Sequence, residues 1–306
     1  MNSVTEKLLS IVSDWKGTFD GAFNIRQDGE CAGRQSTSHI HIETKTDAPG
    51  LIIHVLPGTK NETVYIPACV THGNVDDLVY NDFYIGEGAD VVIVAGCGVH
   101  TDTEEEARHN GIHRFFVEKG ANVIYREKHI GTGKGSGAKR IDPVTDIILS
   151  EDATLEMDTI QLSGVDSTYR KTTATLAARS RLVIHERLMT AGNETAKTDF
   201  EVVLNGEDAG VDLVSRSVAK GHSRQEYSSR IIGNYRCTGH SECDAILGEN
   251  GVVTAAPELS ANHIDAALIH EAAIGKIAGE QLIKMQTLGL TSEEAEAKII
   301  EGFLRG

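Results

Sequence analysis

A weak internal repeat constrains this chain more than any other feature of its sequence. The unit is a turn residue, a small residue, a polar residue and then an apolar strand. Copies begin at Gly88-Ala89-Asp90 before Val91-Val92-Ile93-Val94, at Gly120-Ala121-Asn122 before Val123-Ile124-Tyr125, and at Asp152-Ala153-Thr154 before Leu155-Glu156-Met157. They recur roughly every 30 residues, a period typical of stacked repeat architectures. A unit this short buries its apolar face only by stacking on the next one.

The surrounding sequence supports stacking. Alternation begins near His39-Ile40-His41-Ile42 and Leu51-Ile52-Ile53-His54-Val55, and Pro57-Gly58 marks a turn. Further strands are expected at Arg181 to Glu186, Thr198 to Leu204, Gly210 to Val214 and Ser229 to Ile232, with no crossover helix between them. With 5% aromatic residues, 31 Gly and 5 Pro, the core must be built from Val, Ile, Leu and Ala in tightly turned backbone. These features favour a mainly β solenoid, although a β-sandwich satisfies the same pattern.

Both ends read as helix. Leu8, Leu9, Ile11, Val12 and Trp15 fall at helical spacing. Near the other end, Glu280 to Leu288 stops at Gly289, and Thr291-Ser292-Glu293-Glu294 is a capping box that opens a helix carrying Ala295, Ile299, Ile300 and Phe303. The expected organisation is an amphipathic helix in residues 1–20, a β core in 21–262 and a helical region in 263–306.

A formal charge of −16 argues against nucleic acid and anionic membrane surfaces as partners, because Lys and Arg dominate binding to both. No apolar run approaches the roughly 20 residues of a membrane helix, and nothing marks secretion. Five scattered cysteines, Cys31, Cys69, Cys97, Cys237 and Cys243, do not form a disulfide framework, so a reducing cytoplasm is the expected location. There is no Cys-x-x-Cys pair for a zinc ribbon or ferredoxin site. The run Gly131-Thr132-Gly133-Lys134-Gly135-Ser136-Gly137 lacks phosphate-loop order, since Lys128 stands where the first Gly belongs. It reads as a flexible surface loop.

Cys243 follows His240 and Glu242, neighbours suited to a thiolate that binds soft metal or sulfur; from spacing alone a small buried apolar role in a strand is the commoner one. His270 and Glu271 are metal-ligand types, yet His270 alone could be a hydrogen-bonded structural residue. Cys97 lies between Gly96 and Gly98, a setting that suits an accessible thiol or simply a tight turn. His39, His41 and His54 alternate with apolar residues as strand surface positions, Cys31 and Cys69 read as structural, and Glu104-Glu105-Glu106 reads as a solvated loop.

In order along the chain, several segments resemble the shared core of the SufB/SufD family. Ala219-Lys220-Gly221-His222-Ser223-Arg224-Gln225-Glu226-Tyr227 is similar to its Gly-His-Ser motif, and Cys243-Asp244-Ala245-Ile246-Leu247-Gly248 to the SufB cysteine segment. Pro257-Glu258-Leu259, then Leu268 to Ile277, Glu280-Gln281-Leu282 and Leu288 to Ala295 follow the family's C-terminal pattern. The likeness covers roughly residues 70 to 306, and its specificity lies in the ordered series.

The resemblance implies a right-handed parallel β-helix with a C-terminal helical domain. It also implies a non-enzymatic scaffold that assembles a transient iron–sulfur cluster with a SufC-type ABC ATPase bound to the helical region, and passes it to apo-proteins. By position, Cys243 matches the SufB cluster cysteine, Glu271 a SufB carboxylate near it, His270 the SufD histidine that faces that cysteine, and Cys97 the SufB cysteine of sulfur entry. One chain carrying both the cysteine and the histidine implies a symmetric homodimer. Departures are Ala95-Gly96 in place of Glu-Gly, Ser228-Ser229 in place of Arg-Gly, and Ile283-Lys284-Met285 in place of aromatic residues. A structural ATPase partner without ligands and a solenoid enzyme are the competing readings.

Overall fold

The turn residue of each repeat is the corner of a coil. In the computed structural model, which describes residues 2–305, Gly88, Gly120 and Asp152 take left-handed backbone with φ of +64°, +63° and +60°. Gly58, Arg179 and Asp208 do the same at other corners. The N–H of each corner donates to the next coil: Gly88 to the Lys119 carbonyl at 2.9 Å, Gly120 to Glu151 at 3.1 Å and Asp152 to Ala178 at 3.1 Å. The small residue that follows, Ala89, Ala121 or Ala153, is fully buried, leaving no room for a larger side chain.

Successive strands alternate between two ten-stranded sheets, so neighbours within a sheet are every second strand of the chain. The first sheet runs from Lys60–Val70 through Asp90–His100, Asn122–Thr132, Thr154–Gln161, Arg181–Thr190, Gly210–Ala219 and Cys237–Leu247 to Ala266–Gly275. The second includes Val75–Ile85, Ala107–Val117, Ser167–Leu176, Thr195–Leu204 and Arg224–Gly233, and ends at Val252–Ala261. These strands pair in parallel, building a solenoid of about 8 turns and not a sandwich. An antiparallel hairpin, Ala22–Gln27 with Glu30–Gln35, starts the first sheet.

Inward-facing residues divide the lumen lengthwise. Beside the tight corners it is apolar, with Val123, Tyr125, Leu155, Met157, Leu182 and Ile184 on one sheet and Phe115, Val117, Leu149 and Leu176 on the other. Along the opposite side the buried residues are polar: Glu127, His129, Thr159, Gln161, Glu186, Ser215, His109, His113, Arg170 and Thr198. Parallel in-register stacking makes each of these part of a continuous row.

Helix α1 (Ser3–Val12) begins at Asn2, whose side chain accepts from Thr5 N–H at 2.8 Å, and buries Leu8 and Leu9 on the outer face of the first sheet. At the far end come α2 (Gly279–Thr287) and α3 (Ser292–Arg305). The capping box is present: Thr291 N–H donates to Glu294 and Glu294 N–H to Thr291 Oγ1. Helix α3 packs Ile300 and Leu304 on Val218, Met189 and Ile246, whereas α2 buries none of its residues. Residues Ala266–Gly275, within the stretch expected to be helical, form the last strand because they stay in register with Cys237–Leu247. Met1 and Gly306 lie outside the described residues. Among the described residues no helix is long and apolar enough to cross a membrane.

The glycine-rich run packs against the loop of the preceding coil. Gly133, Gly135 and Gly137 lie against the backbone of Thr101, Thr103 and Glu105, where an added Cβ would come within 2.0–2.2 Å of a carbonyl oxygen. Alternate glycines therefore let two loops of successive coils touch.

Candidate functional site

Cys243 and His270 sit on the two last strands of the first sheet and face the lumen. The register partner of Cys243 is Ala272, and that of Ser241 is His270, so thiol and imidazole are diagonal neighbours on one face. Strand alternation sends Glu271 to the opposite face, beside Glu242. One chain thus brings two of the three expected ligands together. Among the described residues no three His, Cys, Asp or Glu side chains converge as a metal site.

Ser241 organises this end of the lumen. Its hydroxyl meets Ser229 Oγ at 2.8 Å and Tyr227 Oη at 3.0 Å, and its carbonyl accepts from His270 Nδ1 at 3.0 Å. Tyr227, from the Gly-His-Ser segment, is thereby placed below the cysteine strand. Cys243 is only 1% exposed, and burial, reinforced by the carboxylates of Glu186 and Asp244, pushes its thiol up to about 12. A negative charge on that sulfur needs a cation to hold it.

From Cys243 a polar row runs back through the solenoid. Ser215 and Glu186 precede it in register, and Thr159 and Glu127 continue the row. Glu186 accepts from Ser215 at 2.7 Å and Thr198 at 2.9 Å. Arg170 crosses the lumen between Glu127, at 2.8 Å, and Glu186, at 3.4 Å. Burial alone would raise the carboxyl of Glu127, but His129 and Arg170 outweigh it and hold it well below the ordinary range. The row ends near Cys97, whose register partner is His129.

Cys97 also faces the lumen and is 6% exposed, with its thiol pushed well up by burial. The flanking glycines serve another purpose than access to the thiol. A Cβ at Gly96 would stand 2.4 Å from the Val12 carbonyl oxygen, and one at Gly98 2.9 Å from Leu8. They admit α1 on the outer face while Cys97 points the other way. Cys69 is buried beneath α1, Cys31 is exposed, and His54 stacks on Tyr84 at 5.1 Å, each apart from the lumen row.

Sequence reasoning missed Glu127, Arg170, Glu186 and Ser215. Their signal was present in strand parity: Glu186 shares its face with Leu182, Ile184 and Leu188, as Arg170 does with Ala174 and Leu176. A charge at an inward position is a buried charge, which persists only when paired.

Fold and lumen together define a parallel β-solenoid in which a polar row runs between the buried thiols of Cys97 and Cys243 and whose last coil is largely exposed. A family model described as SUF system FeS cluster assembly, SufBD core domain, matches residues 80–303, and the chain belongs to the SufB/SufD family. An iron–sulfur cluster assembly SufBD family protein of Methanothermobacter thermautotrophicus (strain Winter) is 29% identical over 270 residues, 86% of this chain and 64% of that protein. One from Archaeoglobus fulgidus is 30% identical over 261 residues, 84% of this chain and 69% of the relative. A chloroplastic relative from Arabidopsis thaliana is 28% identical over 121 residues, 38% of this chain and 22% of its own length. The chain therefore spans 64% of the length of the first of these relatives.

Proposed function

We propose that this protein is a non-enzymatic scaffold on which nascent iron–sulfur clusters are built and from which they pass to apo-proteins. It works as a homodimer beside a SufC-type ABC ATPase, in the cytoplasm, with α2 and α3 forming the ATPase-docking region of a right-handed β-helix. The observation that carries this reading is the placing of Cys243 and His270 at the open last coil. The strands Val252–Ala261 and Ala266–Gly275 end their sheets, and they leave Leu259, Ile269 and Ile274 exposed at 37%, 55% and 40%. A second copy seated there would cover this apolar surface and bring a second Cys243 and His270 to the same place.

Thiolate and imidazole suit iron while leaving positions for sulfide and for release. Glu271 belongs to this ligand set only through the partner copy or a movement of the last strand, since it leaves the opposite face. The buried, protonated state expected of Cys243 favours the alternative reading, a structural ATPase partner without ligands of its own.

Anaerobic reconstitution with iron and sulfide tests the proposal, comparing wild type with Cys243→Ala and His270→Ala by visible absorption and iron per dimer. A cluster in wild type that either substitution abolishes is the expected result. Equal binding by all three, or by none, sinks the site and moves the structural-partner reading ahead.

A further inference from the structure

On the outside of the solenoid, between the loop that follows α1 and the first sheet, lies a cavity of about 490 Å³. Lys16, Tyr65, Val94, Arg126 and Lys128 are among the residues that line it. Its size suits a small organic ligand. Strand register builds the floor. Tyr65, Val94 and Arg126 are successive register partners on the neighbouring strands Lys60–Val70, Asp90–His100 and Asn122–Thr132. Adjacent strands run about 4.8 Å apart, so Tyr65 and Arg126 leave the backbone roughly 10 Å from one another, across the short Val94. A flat ring packed between two flat groups needs two contacts of about 3.5–4 Å. Val94 thus leaves a slot as thick as one aromatic ring, and Phe19, stacked on Tyr65 at 4.4 Å and 18°, steadies its wall.

The charges around the slot are not balanced pair by pair. Among the described residues neither Lys16 nor Arg126 has a carboxylate partner, since Asp158, the register partner of Arg126 on the next strand, is held by Arg187. Lys128 meets only Asp14, at 3.4 Å in a contact open to solvent. Three cations therefore share one cavity with little neutralisation, in a chain whose formal charge is −16. Asp14 and Asp20 also line the cavity, so it offers strong acceptors beside its donors.

We infer that this cavity binds a single nucleotide. The base lies over Val94, between the Tyr65 ring and the Arg126 guanidinium, two flat groups that both stack on aromatic faces. Lys16 and Lys128 hold the phosphate as point charges. Asp14 and Asp20 accept from the ribose hydroxyls, the service a carboxylate performs in dinucleotide sites. The mixture of charges selects against simpler ligands. An inorganic anion meets the two carboxylates without gaining the ring contacts, and a polynucleotide is repelled by the acidic surface beyond the cavity.

The site shares no residue with Cys243, His270 or the lumen row, so it does not rest on the scaffold reading above. Val12 and Ser13, at the end of α1, form part of its wall. A bound nucleotide therefore ties that helix to the sheet, and Trp15, between Asp14 and Lys16, reports on its arrival.

The test is titration of the full-length protein with AMP, followed by Trp15 emission and by calorimetry, with adenosine, ribose 5-phosphate and inorganic phosphate as separate probes. AMP should bind at least about tenfold more tightly than any of the three. Val94→Phe, which fills the slot without removing a charge, should weaken AMP at least about tenfold, and so should Arg126→Gln, which changes an exposed residue and spares the fold. Lys16→Gln combined with Lys128→Gln should bring AMP down to the affinity of adenosine while leaving adenosine itself unchanged. Arg230→Gln, on the outer face of the other sheet, removes a cation elsewhere and should leave AMP binding in place. No response to AMP at about 1 mM, phosphate bound as tightly as AMP, or an AMP affinity that neither Arg126→Gln nor Val94→Phe alters overturns the assignment. Failure of the scaffold reading would appear in the Cys243 and His270 variants and leave this titration untouched.

Discussion

The carbonyl oxygen of Ser241 accepts a hydrogen bond from Nδ1 of His270 at 3.0 Å, and a carbonyl can only accept. The proton of the neutral ring is therefore on Nδ1, and Nε2 presents its lone pair. Backbone carbonyls hold metal-binding histidines in this way, fixing tautomer and ring direction.

Binding of a divalent metal by this pair should release the Cys243 proton, because burial pushes that thiol up to about 12. Affinity for Co(II) should then rise about tenfold per pH unit between pH 6 and 8. Thiolate-to-cobalt absorption measures it, and a pH-independent affinity would remove Cys243 from the ligand set.

Arg170 is 6% exposed and serves two buried carboxylates. Replacing it with Met should cost roughly 3–5 kcal/mol by taking from Glu127 and Glu186 the guanidinium they share. Urea denaturation reads the loss, and adding Glu127→Gln and Glu186→Gln should recover much of it. A single variant as stable as wild type would show that the lumen admits enough water to solvate the pair.

Gly96→Val places a side chain on the Val12 backbone, 2.4 Å from its carbonyl oxygen at the first added carbon. Helix α1 must lift, at a cost of about 1–3 kcal/mol. The only tryptophan, Trp15, packs at the end of that helix, so its emission should shift to the red while the β signal in circular dichroism stays unchanged. Unshifted emission would mean that α1 accommodates the side chain in place.

Burial would raise the Asp77 carboxyl, but hydrogen bonds from His109 and Arg26 outweigh it and hold it well below the ordinary range. A depressed folded-state value gives stability that is complete above the unfolded carboxylate range, near pH 4, and lost as pH falls through it. Wild type should lose more stability than Asp77→Asn between about pH 5 and 2. Parallel acid-unfolding curves would contradict this.

Much of the architecture was legible before any coordinates. The repeat beginning at Gly88, Gly120 and Asp152 marks real corners because a left-handed residue followed by a small buried one is a local requirement of each turn. The capping box at Thr291 and Glu294 is equally local. The last strand, Ala266–Gly275, was hidden because most of its residues are exposed and only its register with Cys237–Leu247 identifies it. The purpose of Gly96 and Gly98 was hidden for a similar reason, since the helix they admit lies more than 80 residues away in sequence.

Local chemistry, written in the order of residues, thus determined the coil period, the turns, the helix ends and the candidate cysteines. Which of those cysteines face one another's surroundings was decided only by stacking. In a parallel in-register solenoid each strand places its residues beside those of the coil before and after, so Cys243, Ser215 and Glu186 become neighbours across intervals of some 28 residues. The same alternation that gathers them turns Glu271 away, because adjacent residues of a strand belong to opposite faces.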